Sequence, residues 1–86
     1  MDLLANQCRA ARGLLDITQA ELAEKAGVSL RTVISFEAGE RTPIRATLEV
    51  IRRAFESDGV EFIDANGGGP GVRLRAKPDA AAKVKK

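Results

Sequence analysis

The chain has 86 residues, 44% of them hydrophobic, and a formal net charge of +2, which fits one small folded domain rather than a disordered segment. No apolar run approaches the ~18 residues of a membrane span and residues 1–10 lack signal-peptide features, so we expect a cytoplasmic protein without a membrane partner. With no histidine and one cysteine, Cys8, the chain cannot form an internal disulfide, a zinc site or a histidine-activated nucleophile, so we expect neither an enzyme nor a cofactor.

Four short helices are predicted in the first 58 residues from apolar residues at helical spacing and from capping signals. Cys8 lies on the apolar stripe of the first helix and is interpreted as a core residue. The second helix has Thr18 at its N-cap and Glu21 three residues later, the pattern of a capping box. The predicted ranges are residues 2–15 with Asp2 as N-cap, residues 18–27, residues 29–38 with Ser29 as N-cap, and residues 42–57 with Pro43 as the first helical residue.

The two middle helices are joined by only about three residues, which is the pattern of a helix-turn-helix. Gly27 is the expected turn residue, because a left-handed backbone conformation favours a residue without Cβ. An ordinary helical hairpin in a small bundle is the alternative for a pattern of this kind. The apolar residues spaced to face one another across the bend are Leu22, Ala23, Val28, Val33 and Phe36.

Residues 59–75 are predicted to form a β-hairpin because apolar residues alternate on both sides of an Asn66-Gly67 turn. The apolar residues that would share one face are Val60, Phe62, Val72 and Leu74. A lone two-stranded hairpin is marginally stable in water, so it needs a surface that covers it. One alternative is packing on the first and fourth helices of the same chain. We favour the other, a dimer interface formed by these four residues and Ile63 across a two-fold axis.

The last eleven residues, 76–86, carry four lysines and one aspartate and therefore a net charge of +3. This segment has few large apolar residues and is predicted to be a disordered basic tail. Residues 1–75 consequently have a net charge of −1, so a nucleic-acid-binding surface in the folded part must be a local cluster of positive charge.

One stretch, TQAELAEKAGVSLRTVISFEAGERTP at residues 18–43, resembles the helix-turn-helix of the Xre/Cro/phage-repressor family of bacterial DNA-binding regulators. The matching pieces are the TQAELA helix, the AGVS turn, the TVISFEAG helix and the ERTP loop that follows. The resemblance covers roughly residues 5–57. It implies a mainly α fold, with a bundle of four to five short helices in residues 1–58 ahead of the hairpin. It also implies that the helix at residues 29–38 enters the major groove of double-stranded DNA.

Candidate DNA contacts combine this resemblance with side-chain chemistry. Gln19 corresponds to the family's backbone-clamping glutamine, and its amide can donate to a phosphate beside a helix N-terminus. Arg31 has the planar fork that pairs with guanine O6 and N7, and a phosphate contact is its alternative. The other residues expected at the groove are Ser29, Leu30, Thr32 and Ser35. Those expected along the DNA backbone are Arg41, Thr42 and Arg45.

Two further predictions concern the packing of the motif. By resemblance, Arg12 in the first helix pairs with Glu37 near the end of the third, and we expect this ion pair to be mainly structural. Ile34 stands where many family members carry a polar residue, which weakens the case for base readout by that turn. We expect Ile34 to extend the core; the alternatives are contact with a thymine methyl group or with a protein partner.

The predicted function is sequence-specific binding of double-stranded DNA by a homodimeric transcriptional repressor at an inverted-repeat operator. The alternative is a helix-turn-helix scaffold that binds and antagonises another regulatory protein, as an antiactivator or antitoxin does. In a chain of 86 residues we expect no sensory domain. We therefore expect any signal to arrive through a partner, through abundance or through autoregulation.

Overall fold

Four helices are followed by a two-stranded antiparallel hairpin. The computed structural model describes residues 2–75, and the predicted basic tail lies outside the described residues. The elements are α1 (Ala5–Leu15), α2 (Gln19–Ala26), α3 (Leu30–Glu37), α4 (Arg45–Ser57), β1 (Val60–Ile63) and β2 (Gly71–Leu74). The predicted mainly α fold with a C-terminal hairpin is confirmed. Within residues 2–75 no helix is long and apolar enough to cross a membrane.

The helix-turn-helix is formed by α2 and α3 and has the predicted capping contacts. Thr18 Oγ1 accepts from the backbone N–H of Glu21 at 3.0 Å, and Glu21 Oε1 accepts from the backbone N–H of Thr18 at 2.8 Å. Gly27 ends α2 in the left-handed conformation with φ +72°, and its N–H donates to the Ala23 carbonyl. Because these contacts satisfy otherwise unpaired backbone groups, they hold a helix of only eight residues in place.

The starts of α1 and α4 differ from the predictions. The first helix begins at Ala5 rather than after Asp2, because Leu3 is packed in the core and the Gln7 side chain caps the Leu4 N–H at 3.1 Å. The fourth helix begins at Arg45 and not at Pro43, since residues 41–44 carry the chain from α3 to α4 in non-helical conformation. Both predicted starts are therefore wrong by two to three residues.

The core lies where the four helices and β1 meet. Its largest fully buried side chains are Phe55, Leu22, Ile51, Val33, Val60 and Cys8. Phe55 of α4 contacts Phe62 of β1 edge to face, with ring centroids 6.0 Å apart. The Arg52 guanidinium lies over the outer part of this cluster, 5.2 Å from the centre of the Phe62 ring. The hairpin is therefore part of the core of its own chain.

The four apolar residues predicted to share one face of the hairpin are paired across its two strands, and the hairpin packs on α1 and α4 of the same chain. Val60 pairs with Leu74 and Phe62 pairs with Val72. Gln7 of α1 donates its side-chain amide to the Gly71 carbonyl at 3.2 Å, which ties β2 to the helix. This face of the hairpin thus packs on helices of its own chain, the alternative to a dimer interface. Val60 is fully buried and is therefore a core residue rather than part of an exposed surface.

Candidate nucleic-acid interface

A polar groove opens between α3 and the chain that follows it. Its volume is about 680 Å³, and it is open along one side. Two arginines and five hydroxyl side chains provide hydrogen-bond donors, and one carboxylate reduces the positive charge. The lining residues are Ser29, Arg31, Thr32, Ser35, Glu40, Arg41, Thr42, Pro43, Ile44 and Thr47.

The orientation of α3 decides which of its side chains reach this groove. Val33, Phe36 and Glu37 form the buried side of the helix. Arg31 and Ser35, four residues apart on one face, therefore point away from the core and toward the groove. Ser29 caps the helix by accepting from the Thr32 N–H at 3.0 Å, so the two hydroxyls at the start of α3 lie only 2.8 Å apart.

The loop after α3 returns beside the helix and brings a second arginine to the groove. Gly39 allows this return through a left-handed conformation with φ +78°. The Ser35 carbonyl then accepts from the backbone N–H groups of Glu40 at 2.9 Å and Arg41 at 3.3 Å. Arg31 and Arg41 consequently line the same concave surface.

The structure brings together six of the nine residues predicted to contact DNA. These are Ser29, Arg31, Thr32, Ser35, Arg41 and Thr42. Leu30 and Gln19 are not among the lining residues: Leu30 is exposed at the start of α3, and the Gln19 side chain donates to Glu37. Arg45 also lies outside the groove, where it forms an exposed ion pair with Asp2 at 3.4 Å. Exposed ion pairs of this kind contribute little to stability, so Arg45 can give up its bond to Asp2.

Four lining residues were not predicted from the sequence. Pro43, Ile44 and Thr47 belong to the approach and first turn of α4, and Glu40 belongs to the returning loop. Ile44 and Thr47 were not predicted at the groove because the predicted α4 began at Pro43. A helix that began there would orient these two side chains differently. Glu40 offered no signal, since an acidic residue is not expected at an anion-binding surface.

Beneath the groove, Glu37 is the centre of a buried polar network. Its carboxylate accepts from Arg12 Nη2 at 2.7 Å and from Arg12 Nε at 2.8 Å, a bidentate ion pair. It also accepts from Gln19 Nε2 at 3.0 Å and from Cys8 Sγ at 3.1 Å. Arg9 donates to the Glu37 backbone carbonyl. The expected Arg12–Glu37 pair is present and joins α1 to α3, and the Gln19 hydrogen bond adds α2 to the network.

A family model described as Helix-turn-helix (HTH_3) matches residues 9–62, well over half of the chain. The chain belongs to this helix-turn-helix family, of the Xre/Cro type. It is a family of DNA-binding regulators rather than of enzymes. No curated protein sequence shows a significant match to the chain.

In this helix-turn-helix domain, burial and the hydrogen bonds within the Glu37 network determine which of its groups are charged. Burial raises the pKa of Glu37, but hydrogen bonds from Arg12, Cys8 and Gln19 outweigh it and leave the pKa below its usual value. The bond to Glu37 raises the pKa of Arg12, and burial raises the pKa of the Cys8 thiol well above its usual range. Glu37 therefore stays ionised at neutral pH while Cys8 stays protonated and donates to it.

Gln19 is held by this network at the first residue of α2. One hydrogen of its amide is used in the bond to Glu37, which leaves the second N–H as a donor at the helix N-terminus. In a helix-turn-helix domain this end of α2 lies beside the recognition helix. The buried pair thus fixes the position of the side chain that the family resemblance assigns to the DNA backbone.

One prediction about α3 is wrong. Ile34 does not extend the core, because 42% of the residue is exposed. The core side of the helix is filled by Val33 and Phe36 and by the ionised Glu37, which leaves Ile34 on the outer surface. The sequence suggested the opposite, since burial of an isoleucine is ordinarily preferred to burial of a glutamate.

Proposed function

We propose that this helix-turn-helix protein is a homodimeric repressor that binds an inverted-repeat operator in double-stranded DNA. The observation that carries the proposal is the groove that Arg31, Arg41 and five hydroxyl side chains line together. Its donors suit the acceptor-rich edge of guanine and the phosphate oxygens on either side. Such a partner would place the protein at the nucleoid in the cytoplasm, without a catalytic role or a cofactor.

In the proposed complex α3 lies in the major groove with its N-terminal turn toward the bases. Arg31 reads a guanine, while Ser29, Leu30, Thr32 and Ser35 line the same stretch of DNA. Arg41 and Thr42 contact the backbone on one side of the groove, and Gln19 contacts it on the other. Arg45, 80% exposed at its side chain, can exchange its weak bond to Asp2 for a phosphate.

Selection of bound sequences from random duplex DNA, followed by gel-shift titration of the selected sites, tests this function. We expect an inverted repeat whose half-sites are centred about 34 Å apart, one turn of the duplex. Affinity for the selected site should exceed that for random DNA by about 10³-fold or more at physiological salt. Binding no tighter than to random DNA would contradict the proposal and would support the protein-antagonist alternative.

The proposed dimer uses the hairpin surface that the chain itself leaves uncovered. Ile63 on the outer face is 37% exposed, and Leu74 at the open end of the hairpin is 49% exposed. Phe62 and Val72 are already partly covered by the core. The Glu61–Arg73 pair, 2.6 Å long, lies next to Ile63 and gives the outer face charges of both signs, which suits two-fold self-association.

Two point variants test the dimer better than truncation at Asp58, because loss of the hairpin would also uncover Phe55. We expect Ile63→Lys or Leu74→Lys to convert a dimer into a monomer, since a buried unpaired ammonium group is costly at an interface. The variant with the larger effect would identify the face that is used. Val50→Lys is the matched control, with 41% exposure on α4. Sedimentation at micromolar concentrations measures the result, and two dimeric variants would contradict the proposed interface.

A further inference from the structure

The outer surface of α3 carries an apolar strip within a largely polar region. Leu30 is 43% exposed and Ile34 is 42% exposed, and the two lie four residues apart on adjacent turns. We call this pair the apolar strip. Neither residue is needed to complete the core, because Val33 and Phe36 fill the inner side of the helix.

The contacts of neighbouring residues locate the apolar strip inside the proposed DNA footprint. Ile34 lies three residues before Glu37, whose carboxylate holds Gln19 at 3.0 Å, so one flank of the strip faces the start of α2. On the other flank Ile34 adjoins Arg31 and Ser35, which line the groove with Arg41. The strip therefore lies between the two sets of proposed backbone contacts, where base edges would be exposed.

We infer that the apolar strip reads the C5-methyl groups of thymines in the major groove, with Ile34 as a specificity-determining residue. This inference rests on the proposed DNA-binding function. An apolar side chain offers no hydrogen bond to any base, and the thymine methyl is the apolar group on base edges in the major groove. The strip thus favours thymine over cytosine, which presents a polar N4 amine and no methyl at that edge.

The helix geometry fixes where these thymines lie in the site. Four residues of α-helix span ~6 Å, which is close to two steps of a duplex with a rise of 3.4 Å. With the axis of α3 along the major groove, the two thymines are therefore about two base steps apart. Arg31 lies between Leu30 and Ile34 along the helix, so its guanine is within one or two base pairs of both thymines.

Single replacement of each thymine by uracil tests the inference, because uracil lacks only the methyl group. The experiment uses the full chain and the half-site sequence selected from random DNA. We expect two uracil positions per half-site to weaken binding about fourfold each, the factor that corresponds to one buried methyl-sized group. The Ile34→Ala variant should bind the thymine site more weakly and should lose its response to uracil at one of these positions. The other uracil positions should change affinity little.

The control and the contrary outcomes separate this inference from the proposed function. Val50→Ala removes a matched exposed side chain, 41% exposed on α4 outside the groove, and should keep the full response to uracil. Selection that yields no preferred sequence would overturn the proposed function itself. A preferred sequence bound equally well with thymine or uracil would overturn only the apolar-strip inference. An Ile34→Ala variant that sediments as a monomer, with its uracil response intact, would also overturn it and assign the strip to protein contact.

Discussion

The Arg12→Met variant is expected to lose about 3 kcal/mol of unfolding free energy at neutral pH, in the range for breaking a buried ion pair. The variant would leave the Glu37 carboxylate without its cation. Because the Glu37 side chain is only 2% exposed, this unpaired charge would lie in the core. The value is set at the low end because 21% of the Arg12 side chain still reaches solvent. Urea denaturation at one fixed protein concentration measures the difference, since the stability of the proposed dimer would depend on concentration.

Arg53→Met is the matched control for this variant. Arg53 also pairs with a glutamate, Glu49, but at 3.8 Å on the surface of α4, where 76% of the Arg53 side chain is exposed. Such pairs contribute less than about 0.5 kcal/mol. Equal losses in the two variants would mean that the Arg12–Glu37 pair has no special structural role.

The pH dependence of the same variant provides a second readout. In the native protein the lowered pKa of Glu37 stabilises the fold at neutral pH, and this contribution is lost as pH falls through that pKa. In Arg12→Met, burial would raise the pKa of Glu37, so its protonation at acidic pH would relieve the buried charge. The stability difference between the two proteins should therefore begin to shrink while pH is still above the ordinary glutamate pKa of about 4.3, and it should go on shrinking toward the lowered pKa of the native protein. A constant difference from neutral to acidic pH would contradict this explanation.

The helix-turn-helix could be predicted from the sequence because its signals are local. The capping box depends on Thr18 and Glu21, three residues apart, and the turn depends on the backbone preference of Gly27. The common face of the apolar residues in β1 and β2 likewise follows from their alternation along each strand. Each of these features is decided by neighbours along the chain, so no tertiary contact was required to infer them.

The starts of α1 and α4 and the exposure of Ile34 could not be predicted, because tertiary contacts decide them. Asp2 is a good N-cap in isolation, but burial of Leu3 and the cap from Gln7 move the start of α1 to Ala5. Ile34 is exposed because Glu37 occupies the inner side of α3 with Arg12. Local propensity carries no information about a partner 25 residues away.

In the candidate site, too, local features could be predicted from the sequence and tertiary contacts could not. The groove residues on α3 could be predicted, because a helix-turn-helix presents the first turn of its second helix. Participation of Cys8, Arg9 and Gln19 in the Glu37 network could not, since these residues are 18 to 29 positions away from Glu37 along the chain. Only the packing of three helices brings them together. The consequence is functional as well as structural, because the network fixes the Gln19 side chain beside the proposed DNA surface.

The largest effect on DNA recognition is expected from Arg31→Ala. If the Arg31 guanidinium pairs with guanine O6 and N7, its loss should cost about 1–3 kcal/mol and should relax preference at one base position per half-site. Stability should change little, because Arg31 is exposed and lines the open groove. Affinities for the selected operator, for random DNA and for operators changed at each position measure this effect.

Arg41→Ala provides the contrast that makes the assignment testable, since Arg41 lines the same groove from the loop after α3. A phosphate contact carries no sequence information, so this variant should weaken binding to operator and random DNA by a similar factor. It should also reduce the slope of log affinity against log salt by about 1. Arg53→Ala, exposed on α4 and outside the groove, should change neither quantity. Base readout by Arg31 is the wrong assignment if Arg31→Ala lowers affinity equally for operator and random DNA, because the side chain would then act on the backbone as Arg41 does.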